Sequence, residues 1–383
     1  MKLESLQEIV ADAVDDRDQM LGRPAKTCVI VPDATRPLPF KATLRPLFEG
    51  LGGGDIICLV GLGLHRPMTP AELAPIRCAA HGFDVEIVQH KAHDDDLVHR
   101  GTTAHIPIDL NRHIAESDQV ICVGTVEPHQ YAGYSGGIKA ISIGCAGPST
   151  IAAMHGLKFL RDERTTLGRL WDNPFQLALW EIAGSIDNIL GLQIVPDSAG
   201  GIADVFFGEI RSAFKKACRI ASNTFFETLD TPLDWLHLPV PDLKAVNFYQ
   251  ASRAATYVAL VDRPAIRPGG VILVEAGCPE KMGVGMGERA CAQAMHRGRS
   301  ALVSELFSDE KLALRGGQQR AYVLAKARQR NPIALIGAPP IDGLAAMEIE
   351  QFDSIDEASD AFGLQDQRGR RIDDVFHRIP TIS

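Results

Sequence analysis

Short apolar runs rich in β-branched residues alternate with stretches of helical character in the first part of the chain. Four of these runs cover residues 27–32, 55–60, 85–89 and 119–123, and each ends in Gly, Pro or polar residues. Between them, a stretch such as 69–82 opens with Thr-Pro-Ala-Glu, which is typical of a capped helix start. Alternating strands and helices predict an α/β fold with mostly parallel sheets.

The second part of the chain shows the same alternation after an interruption. Residues 229–243 contain three prolines and no clear period, which indicates a linker. The pattern then restarts in four segments, which are 244–249, 270–275, a helix around 318–329 and a strand at 333–336.

The length of 383 residues predicts two domains, at about 150 residues for each domain. We place an N-terminal α/β domain at 1–235, with the cofactor and catalytic groups, and a C-terminal α/β domain at 236–383 that closes over the substrate. This arrangement predicts an active site in the cleft between the domains. The tail after about residue 356 could pack on either domain.

Charge and hydropathy exclude several classes of partner. The chain has 39 Lys and Arg against 48 Asp and Glu, a net charge of −9, which is the wrong sign for general binding to nucleic acid. The N-terminus is acidic where a signal peptide is apolar, and no apolar run approaches the length of a membrane span, so we expect a cytoplasmic protein. The eight cysteines form no C-x-x-C pair, which predicts free, buried thiols.

Titratable side chains follow three of the predicted strands. Asp33 and Arg36 follow the first strand, His65 follows the second and His129 follows the fourth. Ligand groups in a parallel α/β sheet collect on the loops that leave the carboxyl ends of the strands. The pattern therefore predicts a ligand site at this edge, although each loop taken singly is equally compatible with an ordinary surface loop.

A glycine-rich segment follows His129 and ends at Lys139. Its glycines would let the backbone approach a ligand closely. The segment matches neither a Walker A loop nor a G-x-G-x-x-G fingerprint, and by itself it favours a tight turn with a solvated lysine. His155 is predicted to end a short helical stretch, where a histidine is more often a capping or packing residue than a ligand.

Histidine and aspartate are concentrated in residues 90–99, which could form either a metal site or a surface loop. The candidate ligands crowd one short segment and have no second half elsewhere in the sequence. We therefore favour a solvated loop.

Four segments together resemble the nickel-dependent lactate racemase family. They are Asp33-Ala-Thr35-Arg36-Pro37, Gly63-Leu-His65-Arg66-Pro67-Met-Thr69, Glu127-Pro-His129-Gln-Tyr-Ala-Gly-Tyr-Ser-Gly-Gly-Ile-Lys139 and Met154-His155-Gly156. The resemblance continues in Tyr249-Gln250-Ala-Ser-Arg253-Ala, Pro268-Gly-Gly270, Glu275-Ala-Gly-Cys278 and Gly317-Gln318-Gln-Arg-Ala321. It covers nearly the whole chain, and the order and spacing of the first four segments make it specific.

The resemblance implies a nickel pincer nucleotide, a pyridinium-3-thioamide-5-thiocarboxylate mononucleotide joined to a lysine through a thioamide. Lys139 matches this lysine and His155 matches the imidazole ligand of the metal, since two sulfurs, a carbon and one nitrogen suit square-planar Ni(II). The residues that this interpretation places at the cofactor are Lys139, Asp33, Thr35, Gly133, Gly136 and Gly137. Asp33 and Thr35 also have other interpretations. Asp33 could orient an arginine or a histidine, or it could simply form a turn. Thr35 could cap the following helix.

His65 and His129 match two catalytic histidines of the family. Inverting a 2-hydroxy acid by oxidation and re-reduction requires a base for the hydroxyl proton while the Cα hydride moves to the cofactor. Protonating the opposite enantiomer requires a second group on the other side, and two imidazoles can exchange these roles. The resemblance therefore implies an isomerase, namely a nickel-dependent racemase or epimerase of a 2-hydroxy acid.

Three residues match substrate-binding positions of the family. Arg36 and Gln250 match an arginine and a glutamine, whereas Arg253 stands where the lactate-racemising pattern has a lysine. Arginine is longer and bidentate, so Arg253 favours a larger or second carboxylate, as in malate or a larger hydroxy acid, over lactate. The expected partners are this small molecule and, transiently, the enzymes that build the cofactor. A homo-oligomer is an option that the sequence leaves open.

Two other functions are compatible with the same residues. A metal-independent lyase or proton-transfer epimerase would use His65, His129 and Asp33 as acid and base and would leave Lys139 unmodified. A non-catalytic nucleotide-binding or sensor homologue would keep the fold without turnover. Activity without nickel would indicate the first alternative, and insensitivity to loss of both histidines would indicate the second.

Overall fold

The structure, a computed structural model, describes residues 5–21, 23–36, 38–93, 96–197, 200–308 and 314–383. Pro37 lies outside these ranges, and so do Asp94 and Asp95 of residues 90–99, called the acid-rich segment below. Contacts group the chain into two compact units. The first unit consists of Met1–Pro128, Tyr134–Met154 and Phe175–Thr224. The second unit consists of His129–Gly133, His155–Pro174 and Phe225–Ser383.

Helices and strands alternate along both units, which confirms the predicted α/β class. The described helices are α1 (Leu6–Leu21), α2 (Phe40–Leu51), α3 (Pro70–Ala80), α4 (Arg112–Ala115), α5 (Pro148–Met154), α6 (Leu157–Arg161), α7 (Pro174–Ala183), α8 (Ile210–Phe225), α9 (Asp242–Ala245), α10 (Phe248–Ala251), α11 (Arg253–Leu260), α12 (Met286–Met295), α13 (Arg299–Ser308), α14 (Gln318–Arg330) and α15 (Ile355–Phe362). The described strands are β1 (Lys26–Pro32), β2 (Asp55–Gly61), β3 (Val85–Gln89), β4 (Leu97–Thr103), β5 (Ile106–Asn111), β6 (Gln119–Thr125), β7 (Pro128–His129), β8 (Gly133–Tyr134), β9 (Ile189–Pro196), β10 (Ile202–Glu209), β11 (Phe226–Leu229), β12 (Leu233–Pro239), β13 (Ile266–Glu275), β14 (Ile333–Ile336), β15 (Glu350–Phe352), β16 (Gly369–Arg371) and β17 (Ile379–Ile382).

Six strands of the first unit form one sheet in the order β10-β9-β6-β1-β2-β3. All neighbours in this sheet are parallel except β9 and β10. The chain runs from β1 through β2 to β3 on one side, and β6 then pairs with the other side of β1, so the strand order reverses at β1. Ligands of open α/β sheets bind at such a reversal, outside the carboxyl ends of the strands. The loops after β1 and β6 therefore lie at the expected ligand position of this unit.

Local sequence accounts for these elements. The interiors of β1 and β2 are buried on both faces, as expected for central parallel strands. The predicted helix after Thr69 is α3: the Thr69 hydroxyl accepts from the N–H of Glu72, and the Glu72 carboxylate accepts from the N–H of Thr69 at 2.7 Å. This capping box satisfies two of the unpaired N–H groups at the helix start.

Five strands of the second unit form a fully parallel sheet in the order β15-β14-β13-β12-β16. Strand β12 lies where the sequence suggests a linker, so that expectation is wrong for these residues. Pro232 precedes β12, Pro239 is its last residue and Pro241 follows it, and at these positions proline does not interrupt the strand interior. The predicted division between residues 235 and 236 falls within β12, whereas the contacts change unit after Thr224.

The C-terminal tail belongs to the second unit. Strand β16 pairs with β12, and β17 pairs in parallel with β11. Residues 244–249 lie in and between the short helices α9 and α10 rather than in a strand. The side chain of Asn247 accepts from the N–H of Gln250 at 3.0 Å and so begins α10. The predicted helix at 318–329 and strand at 333–336 are confirmed as α14 and β14.

The remaining sequence expectations have mixed outcomes. All eight cysteines are free thiols, and all are buried except Cys78. No helix in the described ranges combines the length and hydropathy that crossing a membrane would need. In the acid-rich segment, His93 and His99 are exposed as expected, but His90 is buried. Its Nε2 hydrogen-bonds to the carbonyl of Ala146 at 3.1 Å, which explains its burial.

Candidate functional site

A buried carboxylate orients His65. Asp33 follows β1, is 5% exposed, and places Oδ2 2.6 Å from Nδ1 of His65, in the loop after β2. Burial raises the pKa of Asp33, but hydrogen bonds from His65 and Thr35 together outweigh burial and hold this pKa below its usual range. The carboxylate is therefore ionised and accepts the Nδ1–H of His65. This leaves Nε2 of His65 with the lone pair that a base requires.

The same bonds decide between the readings of Asp33 and Thr35. Asp33 forms a turn, because Oδ1 accepts from the N–H of Thr35 at 3.0 Å, and it also orients a histidine. The Thr35 hydroxyl donates to that oxygen at 2.5 Å. Thr35 does not take the alternative role of a helix cap, since α2 begins after Pro39 with no side-chain cap.

An ion pair connects the loops after β1 and β6. Nη1 of Arg36 lies 3.9 Å from Oε2 of Glu127, and both side chains are partly exposed. Over the described ranges, the Arg36 guanidinium makes no side-chain hydrogen bond. Its planar fork of N–H groups is therefore available to a carboxylate.

Lys139 is a partly buried amine that precedes a short π-helical turn over Ala140–Gly144. Burial and, to a smaller extent, the Arg36 cation lower the pKa of Lys139 to about 7, against an opposing effect of Asp33. Near neutral pH a large share of the amine is therefore uncharged and nucleophilic. The turn is tied to the loop that carries His65, because the N–H of Gly63 donates to the carbonyl of Gly144 at 2.8 Å.

Internal packing explains the three glycines before Lys139. Gly133, Gly136 and Gly137 have φ angles of +76°, +81° and +56°, which favour glycine. A Cβ on Gly133 would overlap the backbone of Arg169, and a Cβ on Gly136 would lie 2.9 Å from Oε1 of Gln193. Their predicted contact with a cofactor stays a prediction, since this packing alone requires glycine.

Gln193 is a positioning residue that the sequence analysis missed. It is fully buried in β9, and its Oε1 accepts from the N–H of Gly137 at 2.7 Å. Its Nε2 donates to the carbonyl of Cys122 in β6 at 2.9 Å. Both ends of the amide are therefore satisfied, which anchors the segment before Lys139. A lone polar residue in the apolar run 189–196 is the signal that could have revealed it.

Two backbone N–H groups fix the ring of His129. Those of Tyr131 and Ala132 donate to its Nδ1, at 3.3 and 3.1 Å. The neutral ring therefore carries its hydrogen on Nε2. His65 presents a lone pair at Nε2, whereas His129 presents an N–H at Nε2. The two predicted catalytic histidines are therefore held in different tautomers.

Tyr131 contacts the rings of two histidines in the second unit. It lies edge-on to His129 and to His155, with ring centroids 5.8 Å apart in both pairs. Burial raises the pKa of Tyr131 to about 12, so its hydroxyl stays protonated near neutral pH. His155 directly follows α5, as predicted for the end of a short helix, and is partly buried.

Two arginines lie near the same tyrosine. Arg253 is the first residue of α11, and its charge acts on the Tyr131 hydroxyl together with that of Arg320 in α14. The Arg320 guanidinium lies 5.4 Å from the ring centroid of Tyr249, next to Gln250 in α10. Arg320 lies within the segment 317–321 that resembles the family, where no local pattern predicts a role for it.

Each unit thus gathers part of the predicted set. In the first unit the structure brings together Asp33, Arg36, His65 and Lys139. In the second unit it brings His129, His155 and Arg253 around Tyr131, and Gln250 is connected to them through its neighbour Tyr249. No group of three or more His, Cys, Asp or Glu residues in the described part of the chain is arranged to hold a metal ion.

The second unit also contains a cavity of about 360 Å³. Gln130 and Tyr131 line it, together with residues of α11, α14 and the segment 160–169. None of the predicted site residues lines this cavity. Tyr131 nevertheless connects the cavity to two of them, because its ring contacts the rings of His129 and His155.

Sequence comparisons identify relatives of this chain. A family model described as the lactate racemase N-terminal domain matches residues 4–168. A lactate racemase from Thermoanaerobacterium thermosaccharolyticum is 29% identical over 301 residues, which cover 73% of this chain and 67% of that protein. A lactate racemase from Lactiplantibacillus plantarum is 30% identical over 232 residues, which cover 56% of this chain and 53% of that protein.

Two solved structures share the fold. The lactate racemase apoprotein from T. thermosaccharolyticum matches with a TM-score of 0.84 at 22% identity, covering 99% of this chain and 93% of that chain. A crystal structure of a protein from Thermotoga maritima matches with a TM-score of 0.73 at 16% identity, covering 100% of this chain and 99% of that chain. Residues 4–168 therefore match the lactate racemase N-terminal domain, and the chain shares the fold of the lactate racemase apoprotein.

Proposed function

We propose that this protein is a racemase or epimerase of 2-hydroxy acids that uses a nickel pincer nucleotide. The observation that carries the proposal is the environment of Lys139, whose pKa of about 7 makes the amine a nucleophile at the position that the family resemblance gives to cofactor attachment. An uncharged amine can form a thioamide, whereas an ammonium cannot. The two relatives named lactate racemase support the class of reaction.

The donor set fits such a group. Lys139 would hold the nucleotide covalently, and the imidazole of His155 would supply one nitrogen to Ni(II), with the other donors coming from the nucleotide itself. A metal held in this way does not need a cluster of protein ligands. When bound, the nucleotide would accept the hydride from the substrate Cα and return it.

His65 and His129 would divide the handling of the substrate oxygen. With Nδ1 held by Asp33, His65 can take the hydroxyl proton at Nε2, and the carboxylate stabilises the imidazolium that results. His129 would donate its Nε2–H to the oxygen. To act as the base for the opposite enantiomer, His129 must move its hydrogen to Nδ1 and give up the two N–H bonds that Nδ1 now accepts.

Three side chains would bind the substrate. Arg36 of the first unit would bind the carboxylate beside the hydroxyl, through its available N–H groups. Gln250 and Arg253 of the second unit would contact the rest of the acid. Gly133, Gly136, Gly137 and Thr35 would shape the segments next to the cofactor.

Intact mass and bound nickel test the proposal on protein expressed with and without the enzymes that build the cofactor. We expect a covalent mass increase with nickel in the first preparation alone. Lys139→Ala should abolish the mass increase, and His155→Ala should lose nickel. Lys158→Ala and His93→Ala change an exposed lysine and an exposed histidine and should keep both signals.

Other outcomes would point elsewhere. Nickel without a mass increase would indicate a non-covalent form of the same site. Turnover of a 2-hydroxy acid with neither signal would favour the metal-independent lyase or proton-transfer epimerase. Nucleotide binding without turnover would favour a sensor.

A further inference from the structure

Arg320 is a buried cation for which the chain supplies little compensation. It is 5% exposed, and one Nη donates to Oε1 of Gln130 at 3.1 Å. Its Nε is buried without a hydrogen-bond partner among the described residues, and no described carboxylate forms an ion pair with it. Burying a guanidinium in this way is costly, so a group from outside the chain is expected to balance it.

Arg253 brings a second positive charge to the same place. The charges of Arg253 and Arg320 both act on the hydroxyl of Tyr131, so the two guanidinium groups lie near one phenol. An anion that accepts from the Arg320 guanidinium would offset the cost of burying it, and the charge of Arg253 would add to the attraction for that anion. The ring of Tyr249 and the amide of Gln130 hold the Arg320 guanidinium in place for such an anion.

We propose that Arg320 and Arg253 bind the second carboxylate of a dicarboxylic 2-hydroxy acid, and that Arg320 is the residue that selects this substrate class. The inference rests on the proposed function, because Tyr131, which borders the two arginines, also contacts His129 and His155. The phosphate of a mononucleotide has the same charge chemistry. The test therefore includes both anions.

Titration calorimetry of the cofactor-free protein tests the proposal with three ligands. They are malate, its 4-amide of the same configuration, which has the same shape with one carboxylate fewer, and nicotinic acid mononucleotide. We expect malate to bind at least about tenfold more tightly than the amide. Arg320→Met should remove this preference while leaving the binding of the amide unchanged. Arg330→Met, an exposed arginine of the same helix, should keep the preference.

The stability of the ligand-free variant separates binding from a structural role. If Arg320 serves the ligand, Arg320→Met should keep or raise the Tm, because it removes an uncompensated charge. A lower Tm with an unchanged malate preference would show a structural residue and overturn the proposal. If Arg320→Met does not fold, Arg320→Lys decides, since loss of the bidentate fork should weaken the preference several-fold.

Two further results would overturn the proposal. One is the absence of any malate preference, or of measurable malate binding, in the unchanged protein. The other is a loss of mononucleotide binding in Arg320→Met with malate binding intact, which would assign the site to a phosphate. All of these measurements use the protein without cofactor. They can therefore be interpreted even if the nickel and mass experiment shows that no cofactor is bound.

Discussion

Asp33 makes His65 a base, and the effect of removing its charge can be predicted. Asp33→Asn keeps the size of the side chain but removes the ionised partner of Nδ1, so the imidazolium formed in turnover loses its stabilisation. We expect kcat of the loaded enzyme to fall on the order of 10²-fold. Asp109→Asn, which changes an exposed His-Asp pair at 2.7 Å, should leave kcat unchanged.

The two directions of racemisation supply a check on this result. Enantiomers have equal free energy, so kcat/KM for both must fall by the same factor in Asp33→Asn, whereas kcat and KM are free to differ.

Long-range nitrogen NMR of the ligand-free protein should show Nε2 of His65 without a hydrogen and Nε2 of His129 with one. Finding the same tautomer in both histidines would refute the different tautomers described here.

Lys139 couples stability to pH. Its pKa is about 7 in the folded protein and 10.5 in its unperturbed state, so between these values the unfolded chain binds a proton that the folded chain does not. The free energy of unfolding therefore rises with pH across this window, and the penalty on the folded state is greatest below pH 7. Lys139→Met should be the more stable protein at about pH 6, on the order of a few kcal/mol, with a smaller difference at about pH 9.

Urea unfolding of both proteins at the two pH values checks this prediction. Other titrating groups are shared by the two proteins and cancel in the difference. A difference that stays constant with pH would mean that the amine titrates normally in the folded protein.

At the level of elements, the glycine-rich segment depends on a close approach between backbones. In Gly133→Ala, the new methyl would overlap the carbonyl of Arg169, and φ of +76° would also be strained. We expect a loss of about 1–3 kcal/mol or more in the free energy of unfolding. Gly101→Ala has φ of +105° with open space around the new Cβ, so it measures the strain alone. Equal losses in the two variants would show that the backbone contact contributes nothing.

At the level of the whole molecule, the second unit is not continuous in sequence. Residues 155–174 belong to it, since Nζ of Lys326 donates to the carbonyl of Leu160 at 3.2 Å and Leu167 packs with Val261 and Ile379. A fragment covering 225–383 should therefore lack a cooperative unfolding transition in urea. Joining 155–174 to the fragment through a flexible linker should restore part of it. A cooperative transition in the short fragment would show that this segment is dispensable.

Local patterns in the sequence predicted the α/β class, the strands β1, β2, β3 and β6, and the loops that carry Asp33, Arg36, His65 and His129. These features follow from the spacing of apolar residues and from caps, which act over a few positions. The family resemblance extended them to Lys139 and His155. The predicted linker at 229–243 is wrong in its middle part because the prolines there stand at the ends of β12, whose interior is largely buried.

Other features depend on which strands and segments become neighbours, which local patterns do not specify. The sequence by itself determined which side chains stand at the ends of the strands. Only the tertiary structure decided that Asp33 faces His65, that backbone N–H groups hold His129 in the other tautomer, and that Gln193 anchors the glycines before Lys139. It also decided that Arg320 is buried, with one Nη donating to Oε1 of Gln130. Contacts between residues far apart in the chain exist only after folding, and their pKa values and hydrogen-bond roles follow from burial and distance rather than from residue type.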